Sequence, residues 1–141
     1  MRADIVMSTD GGARGNPGHA GAGVYITDGA GKKIATVSTY LGEQTNNWAE
    51  YQATILGLEK LHALYGDALT DMKVVVRMDS ELIVRQLNGI YKVKNANLKE
   101  QYAKVQELLG GLKHIDIVHV RREYNKEADA LANEAMDRGS F

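Results

Sequence analysis

The chain reads as an α/β domain in which helices cover a mixed sheet, and three observations predict it. Strand-like runs separated by turn signals fill the first third. From about residue 47 the apolar spacing changes to a period of 3.6, and a short apolar run, KVVVRM, lies between helical segments.

Segment 3–10 (ADIVMSTD) mixes apolar and β-branched residues and stops at Gly11-Gly12, which predicts a strand running into a turn. Segments 22–27 and 33–41 are strand-like and joined by Asp28-Gly29-Ala30-Gly31, so the opening is an antiparallel meander. The glycine-dense stretch before it, with turn residues at Asn16-Pro17-Gly18, predicts a flexible hairpin loop. Tyr51, Ile55, Leu58, His62 and Tyr65 share one stripe of a long helix over 47–65. KVVVRM, residues 73–78, has the nearly continuous apolar character of a strand buried on both faces. Ser80 can cap a helix that Asn88-Gly89 stops, and a further helix over 97–109 ends at Gly110-Gly111. Segment 113–121 alternates as a strand, and the last helix starts from an Asn125 cap and fades by Gly139. The expected order is β-β-β-α-β-α-α-β-α.

At 141 residues without cysteine, the chain has room for one domain and offers neither a disulfide framework nor a thiolate metal site. No apolar run reaches the ~20 residues of a membrane helix. The start, Met-Arg-Ala-Asp, leads into a stretch too short for a signal peptide, so a cytoplasmic protein is expected. A net charge of −1 argues against nucleic-acid binding by bulk electrostatics alone. Gathering four carboxylates in one pocket would nevertheless leave +3 on the remainder of that total. An aromatic content of 6% speaks against stacking platforms for single strands.

Four acidic residues stand at telling places: Asp10 at the end of the first strand, Asp79 after KVVVRM, Glu50 in the first turn of the long helix and Asp129 in the first turn of the last helix. Taken singly, each has a structural explanation, because strand ends take turn residues and helix starts favour anions. Together they form a donor set for hard divalent cations, without which converging carboxylates repel and raise each other's pKa. Two Mg²⁺ ions ~3.5–4 Å apart are the arrangement that hydrolyses phosphodiesters. Phosphate-loop fingerprints are missing: no Gly-x-x-x-x-Gly-Lys-Ser/Thr occurs, and Ile26 stands where the third glycine of Gly-x-Gly-x-x-Gly belongs. Besides a loop, the glycines at 11 and 12 would let a sugar-phosphate backbone approach the main chain beside Asp10.

STDGGARGNPG with Asp10, TNNWAEYQA with Glu50, MDSELIVRQLNG with Asp79 and REYNKEADALANEAM with Asp129 resemble the four ordered motifs of type 1 ribonuclease H. The resemblance spans about residues 5–137 and implies a ribonuclease H-like five-stranded mixed sheet with helices on both faces. It implies an endonuclease that cuts the RNA strand of an RNA–DNA hybrid with two Mg²⁺ ions, or Mn²⁺ as substitute, leaving 3′-hydroxyl and 5′-phosphate ends. Asp10 would bridge both ions, Glu50 and Asp79 would hold one and help orient the 2′-hydroxyl or water, and Asp129 would hold the other. Asn16, Asn46 and Asn47 match positions that touch hybrid sugars and bases, Thr45 matches one that holds a DNA-strand phosphate, and Gly11 stands as a substrate contact through the open main chain; Asn16 also suits a turn, and Thr45-Asn46-Asn47 a helix cap.

Two departures from the family pattern stand out. The basic insertion of many members is replaced by YKVKNANLKEQ, where Tyr91, Lys92, Lys94 and Lys99 alone supply aromatic or positive contacts, so hybrid binding should be weak or strongly salt-dependent. The loop histidine of many relatives has no clear counterpart: His119 continues a strand, and the short loop carries Arg122-Glu123 instead, as in a short-loop branch. Two rivals remain, a non-catalytic hybrid-binding module and a related nuclease for double-stranded RNA or branched DNA. Four anions facing phosphate count against a binder. A monomer without an obligate protein partner is expected.

Overall fold

In the computed structural model, which describes residues 2–139, the first three strands outrun their apolar cores. β1 spans Ile5–Gly15, β2 Gly18–Asp28 and β3 Lys33–Gln44. The glycine-dense stretch is therefore not a flexible loop, and β1 does not stop at Gly11-Gly12. Pairing continues from Asp10↔Gly23 to Gly15↔Gly18, and only Asn16 and Pro17, joined by a cis peptide bond, form the turn.

The physical reason is close approach by helices rather than backbone freedom. A Cβ on Gly11 would lie 2.2 Å from the Ala49 carbonyl oxygen, and one on Gly23 would lie 2.1 Å from the Ala128 carbonyl oxygen. Ala49 belongs to α1 (Asn46–Tyr65) and Ala128 to α4 (Lys126–Gly139). Gly11 pairs with Ala22, the neighbour of Gly23, so the alternation of a strand sends the two contacts to opposite faces of the sheet. Helices thus cover both faces, as expected.

β4 (Lys73–Met78) and β5 (His114–His119) complete a five-stranded sheet of order β3-β2-β1-β4-β5, with β1, β4 and β5 parallel. α2 (Glu81–Leu87) and α3 (Ala96–Leu109) fill the crossover between β4 and β5. The core joins Ile5, Met7, Val24 and Ile26 to Leu58 and Leu61 of α1 and to Val74, Val76 and Met78 of β4. β4 is not buried on both faces: Val74, Val76 and Met78 are buried, while Lys73, Val75 and Arg77 are half-buried. α4 lies over β2, β3 and β1 and leaves that side of β4 partly open. β5 is shorter than the alternation suggested, because after Val120 donates to the Met78 carbonyl the chain turns into a 3-10 turn at Arg122–Tyr124.

The parallel ladder between β1 and β4 runs from Ile5↔Val74 to Ser8↔Arg77 and then stops. Beyond it the strands diverge, opening a crevice at the carboxyl end of β4 next to Asp10 in mid-β1.

Because the helix backbone rather than a mobile side chain meets position 23, Gly23→Ala should destabilise by about 3 kcal/mol or more. Gly31→Ala, at φ +91° with open space around it, should cost only about 1–2 kcal/mol. Urea unfolding of the two variants checks the contrast.

Candidate active site

Each carboxylate reaches the crevice from a different element. Asp10 stands on β1 where β4 departs, and Asp79 directly follows β4, with Ser80 capping α2 by accepting from the Ile83 N–H. Glu50 is the fifth residue of α1, beyond its first turn, so the helix-dipole explanation weakens for it. Asp129 is in the first turn of α4.

Asp10, Glu50 and Asp79 each offer a carboxylate oxygen within 4.8 Å of the others. Asp129 lines the same cavity of about 440 Å³, together with Gly12, Asn46, Ser80, Arg122 and Asn133. Asp10 and Glu50 expose only 7% and 8% of their surfaces. Burial, followed by the charge of Asp79 and by hydrogen bonding and charge from Asp129, pushes the Asp10 carboxyl up to about 8, against the pull of Arg122. Burial holds Glu50 well above the usual carboxylate range, and the charges of Asp10 and Asp79 add to it; the Gly11 N–H, donating to the carboxylate, opposes them. Asp79 is also raised, chiefly by burial, with its own backbone N–H, Arg122 and His119 pulling it down.

Glu50 Oε2 is buried and has no hydrogen-bond partner. An orphaned anionic oxygen is costly unless something cationic meets it. Together with a hard all-oxygen donor set, it makes Asp10, Glu50, Asp79 and Asp129 a fitting cradle for divalent cations.

Sequence comparison agrees with this geometry. A family described as reverse transcriptase-like matches residues 8–135. The ribonuclease HI of Halobacterium salinarum is 39% identical over 91% of the chain. The chain belongs to the type 1 ribonuclease H family. It spans 62% of that archaeal relative's length and 35% of three mycobacterial ones. Among solved structures, LC11-RNase H1, isolated from compost, is 53% identical with a TM-score of 0.91, and the match covers 99% of both chains. The same protein in complex with an RNA/DNA hybrid matches at the same identity and TM-score, over 96% of this chain and 98% of that one.

The remaining family positions divide by what already holds them. Thr45 caps α1 by accepting from the Trp48 N–H at 3.2 Å. Asn16 Oδ1 accepts from the Asn46 N–H at 3.0 Å, and Asn46 Oδ1 accepts from the Ala13 N–H at 2.8 Å, pinning the β1–β2 turn to the start of α1. Asn47 is half-buried on α1. Gly11 is buried under the α1 backbone, whose close approach its missing side chain permits, and it lines the cavity together with the half-buried Gly12. Lys92 and Lys94 are exposed on the segment between α2 and α3, outside the carboxylate cavity.

His119 ends β5 as a strand residue, while Arg122 lines the cavity with its guanidinium 3.7 Å from Asp129; Glu123 instead faces Arg121 at 3.9 Å. Sequence reasoning missed Asn133, whose amide donates to the Asp129 carbonyl at 3.0 Å. Its spacing of four from Asp129 on a helix was the available signal. Arg14 also lines the cavity and pairs with Asp137, a contact between strand and helix that no local spacing announces.

A raised acid pKa favours the protonated form in the folded state, so the metal-free protein is stabilised by Asp10 below pH 4 and loses that contribution as pH rises through about 8. Asp10→Asn should therefore be more stable than the parent at pH 8.5 by more than about 1 kcal/mol and show a flatter slope above pH 4. Thermal unfolding in chelator across pH 4–9 measures both.

Proposed function

We propose that this chain is an endonuclease that hydrolyses the RNA strand of RNA–DNA hybrids, leaving 5′-phosphate and 3′-hydroxyl ends. The convergence of Asp10, Glu50 and Asp79 within 4.8 Å, with Asp129 in the same cavity, is the observation that carries the proposal. The 53% identity to LC11-RNase H1, solved with an RNA/DNA hybrid, supports the substrate class.

Two Mg²⁺ ions, or Mn²⁺ in their place, would be held by the four carboxylates and would supply an activated water and charge neutralisation at the scissile phosphate. Asp10, which faces Glu50, Asp79 and Asp129, would hold the ions in its carboxylate form, as the family resemblance implies. Glu50, whose Oε2 is unpartnered, and Asp79 would hold one ion and help orient the 2′-hydroxyl, the donor-acceptor group that separates RNA from DNA, or the water. Asn16 and Asn46 spend their oxygens on the backbone and so present their NH₂ groups toward the hybrid as donors to sugar and base oxygens. Thr45 and the exposed Lys92 and Lys94 would meet the DNA strand at its phosphates. The working unit is a single copy, because one chain supplies all four carboxylates, and the proposed setting is the cytoplasm.

Strand-labelled hybrid incubated with Mg²⁺, with Mn²⁺ and with chelator is the direct test, beside duplex DNA, duplex RNA and single strands. Only the hybrid's RNA strand should be cut, chelator should abolish cutting, and Asp10→Asn should lower turnover on the order of 10³-fold or more while still binding hybrid. Binding without cleavage by the parent in both metals would make the chain a binding module. Lys92→Ala and Lys94→Ala should each weaken hybrid binding across sequences and reduce the slope of log affinity against log salt by about 1; fluorescence anisotropy at several salt concentrations reads this.

A further inference from the structure

Asn125 is completely buried, yet it belongs to no apolar cluster and lies four residues before Asp129. The expected role was a helix cap, but its side chain does something else. Its Nδ2 donates to the backbone carbonyl of Thr9 at 2.9 Å, while its Oδ1 is buried without a partner. Thr9 is the first β1 residue beyond the ladder with β4, which ends at Ser8↔Arg77. The Asn125 amide thus takes up a carbonyl freed where the two strands part. The orientation of that amide follows from chemistry, since the opposite flip would set oxygen against oxygen.

A second tie reaches the same spot from the other strand. The Arg77 guanidinium on β4 donates to the Tyr124 carbonyl at 2.9 Å. Two consecutive residues, Tyr124 and Asn125, are therefore held by β4 and β1 respectively, one residue before α4 begins. The Asn125 carbonyl then accepts from the Asp129 N–H at 3.1 Å, which carries the constraint one helical turn onward. Asp10 follows Thr9 directly, and Asp79 follows Arg77 by two.

We propose that Asn125, seconded by Arg77, is a positioning residue that sets the distance of Asp129 from Asp10 and Asp79 and thereby the affinity of the cation that Asp129 shares with Asp10. Its side chain touches neither substrate nor cation. The claim rests on the metal-dependent reading of the site, and concerns how α4 is registered against the split in the sheet. Groups that orient metal ligands typically matter by about 10–100-fold in metal affinity or activity when removed.

The test compares the parent with Asn125→Ala, Arg77→Ala and, as a control, Arg138→Ala. Arg138 also ties α4 to the sheet, donating to the Ser38 carbonyl at 2.8 Å, but at the far end of the helix. Mg²⁺ is titrated calorimetrically into chelator-treated protein, and steady-state hybrid cleavage is followed across Mg²⁺ concentration together with the melting temperature. Asn125→Ala should lose about 10–100-fold in Mg²⁺ affinity and lower kcat, with KM for hybrid within about twofold of the parent. Arg77→Ala should move the same quantities less, and Arg138→Ala should change the melting temperature alone. Parent-like Mg²⁺ titration and kcat in Asn125→Ala and Arg77→Ala overturn the proposal, whatever their melting temperatures; if Asn125→Ala does not fold, Arg77→Ala decides it. A parent that binds Mg²⁺ but cuts no hybrid overturns the activity reading, and the positioning role of Asn125 is then judged on the calorimetric arm.

Discussion

Mutual repulsion among carboxylates is the constraint around which this molecule is arranged. Two unit charges 4 Å apart cost about 4 kcal/mol at an effective dielectric constant near 20, and here Asp10, Glu50 and Asp79 approach that separation with two of them nearly sealed from solvent. No local preference of any one residue would bring such groups together. The convergence is imposed by elements whose packing is settled elsewhere: α1 by its seat on β1 and β2, β4 by the apolar core, α4 by the opposite face of the sheet.

That packing is unusually close on both faces, and this is what makes the convergence rigid. Gly11 lets the α1 backbone settle directly on β1, which places Glu50 beside Asp10 and aims the Gly11 N–H at the Glu50 carboxylate. On the other face Gly23 meets the backbone of α4, whose buried residues are mostly alanines. Small against small brings helix and sheet near, but it buries little apolar area per contact, so α4 depends more on polar ties than α1 does. Ser38 donating to Leu131, Arg138 to Ser38 and Asn125 to Thr9 are those ties, and they run the length of the helix.

The order of elements and all four carboxylates were legible in the sequence, because apolar periodicity and ordered motifs are local signals. Lys73–Met78 was placed to the residue, and α1 and α3 each to within one residue at the start. What was not legible depended on contacts between distant segments. Glycine content around residues 11–23 reads locally as a loop; only the presence of α1 and α4 against those positions turns it into strand. Asn125 reads as a cap because Asn commonly is one, and its bond to Thr9, 116 positions away, has no trace in its neighbours. The place of Arg122 is illegible for the same reason: its approach to Asp129 depends on the 3-10 turn that follows β5.

Near-neutral total charge conceals a divided molecule, and the division has a thermodynamic consequence. The anionic cavity sits among cations, with Arg122 and Arg14 in its lining and Lys92 and Lys94 exposed beyond it. A phosphate chain drawn by that rim would meet four carboxylates at the centre, where its charge has the wrong sign. On the proposed function, divalent cations would reverse that sign, and each would strengthen the binding of the nucleic acid. Linkage then requires the nucleic acid to strengthen cation binding by the same factor. The carboxylates whose convergence is costly would therefore be the same groups that couple cation and nucleic acid, and a site with fewer of them would fold more easily and couple the two less.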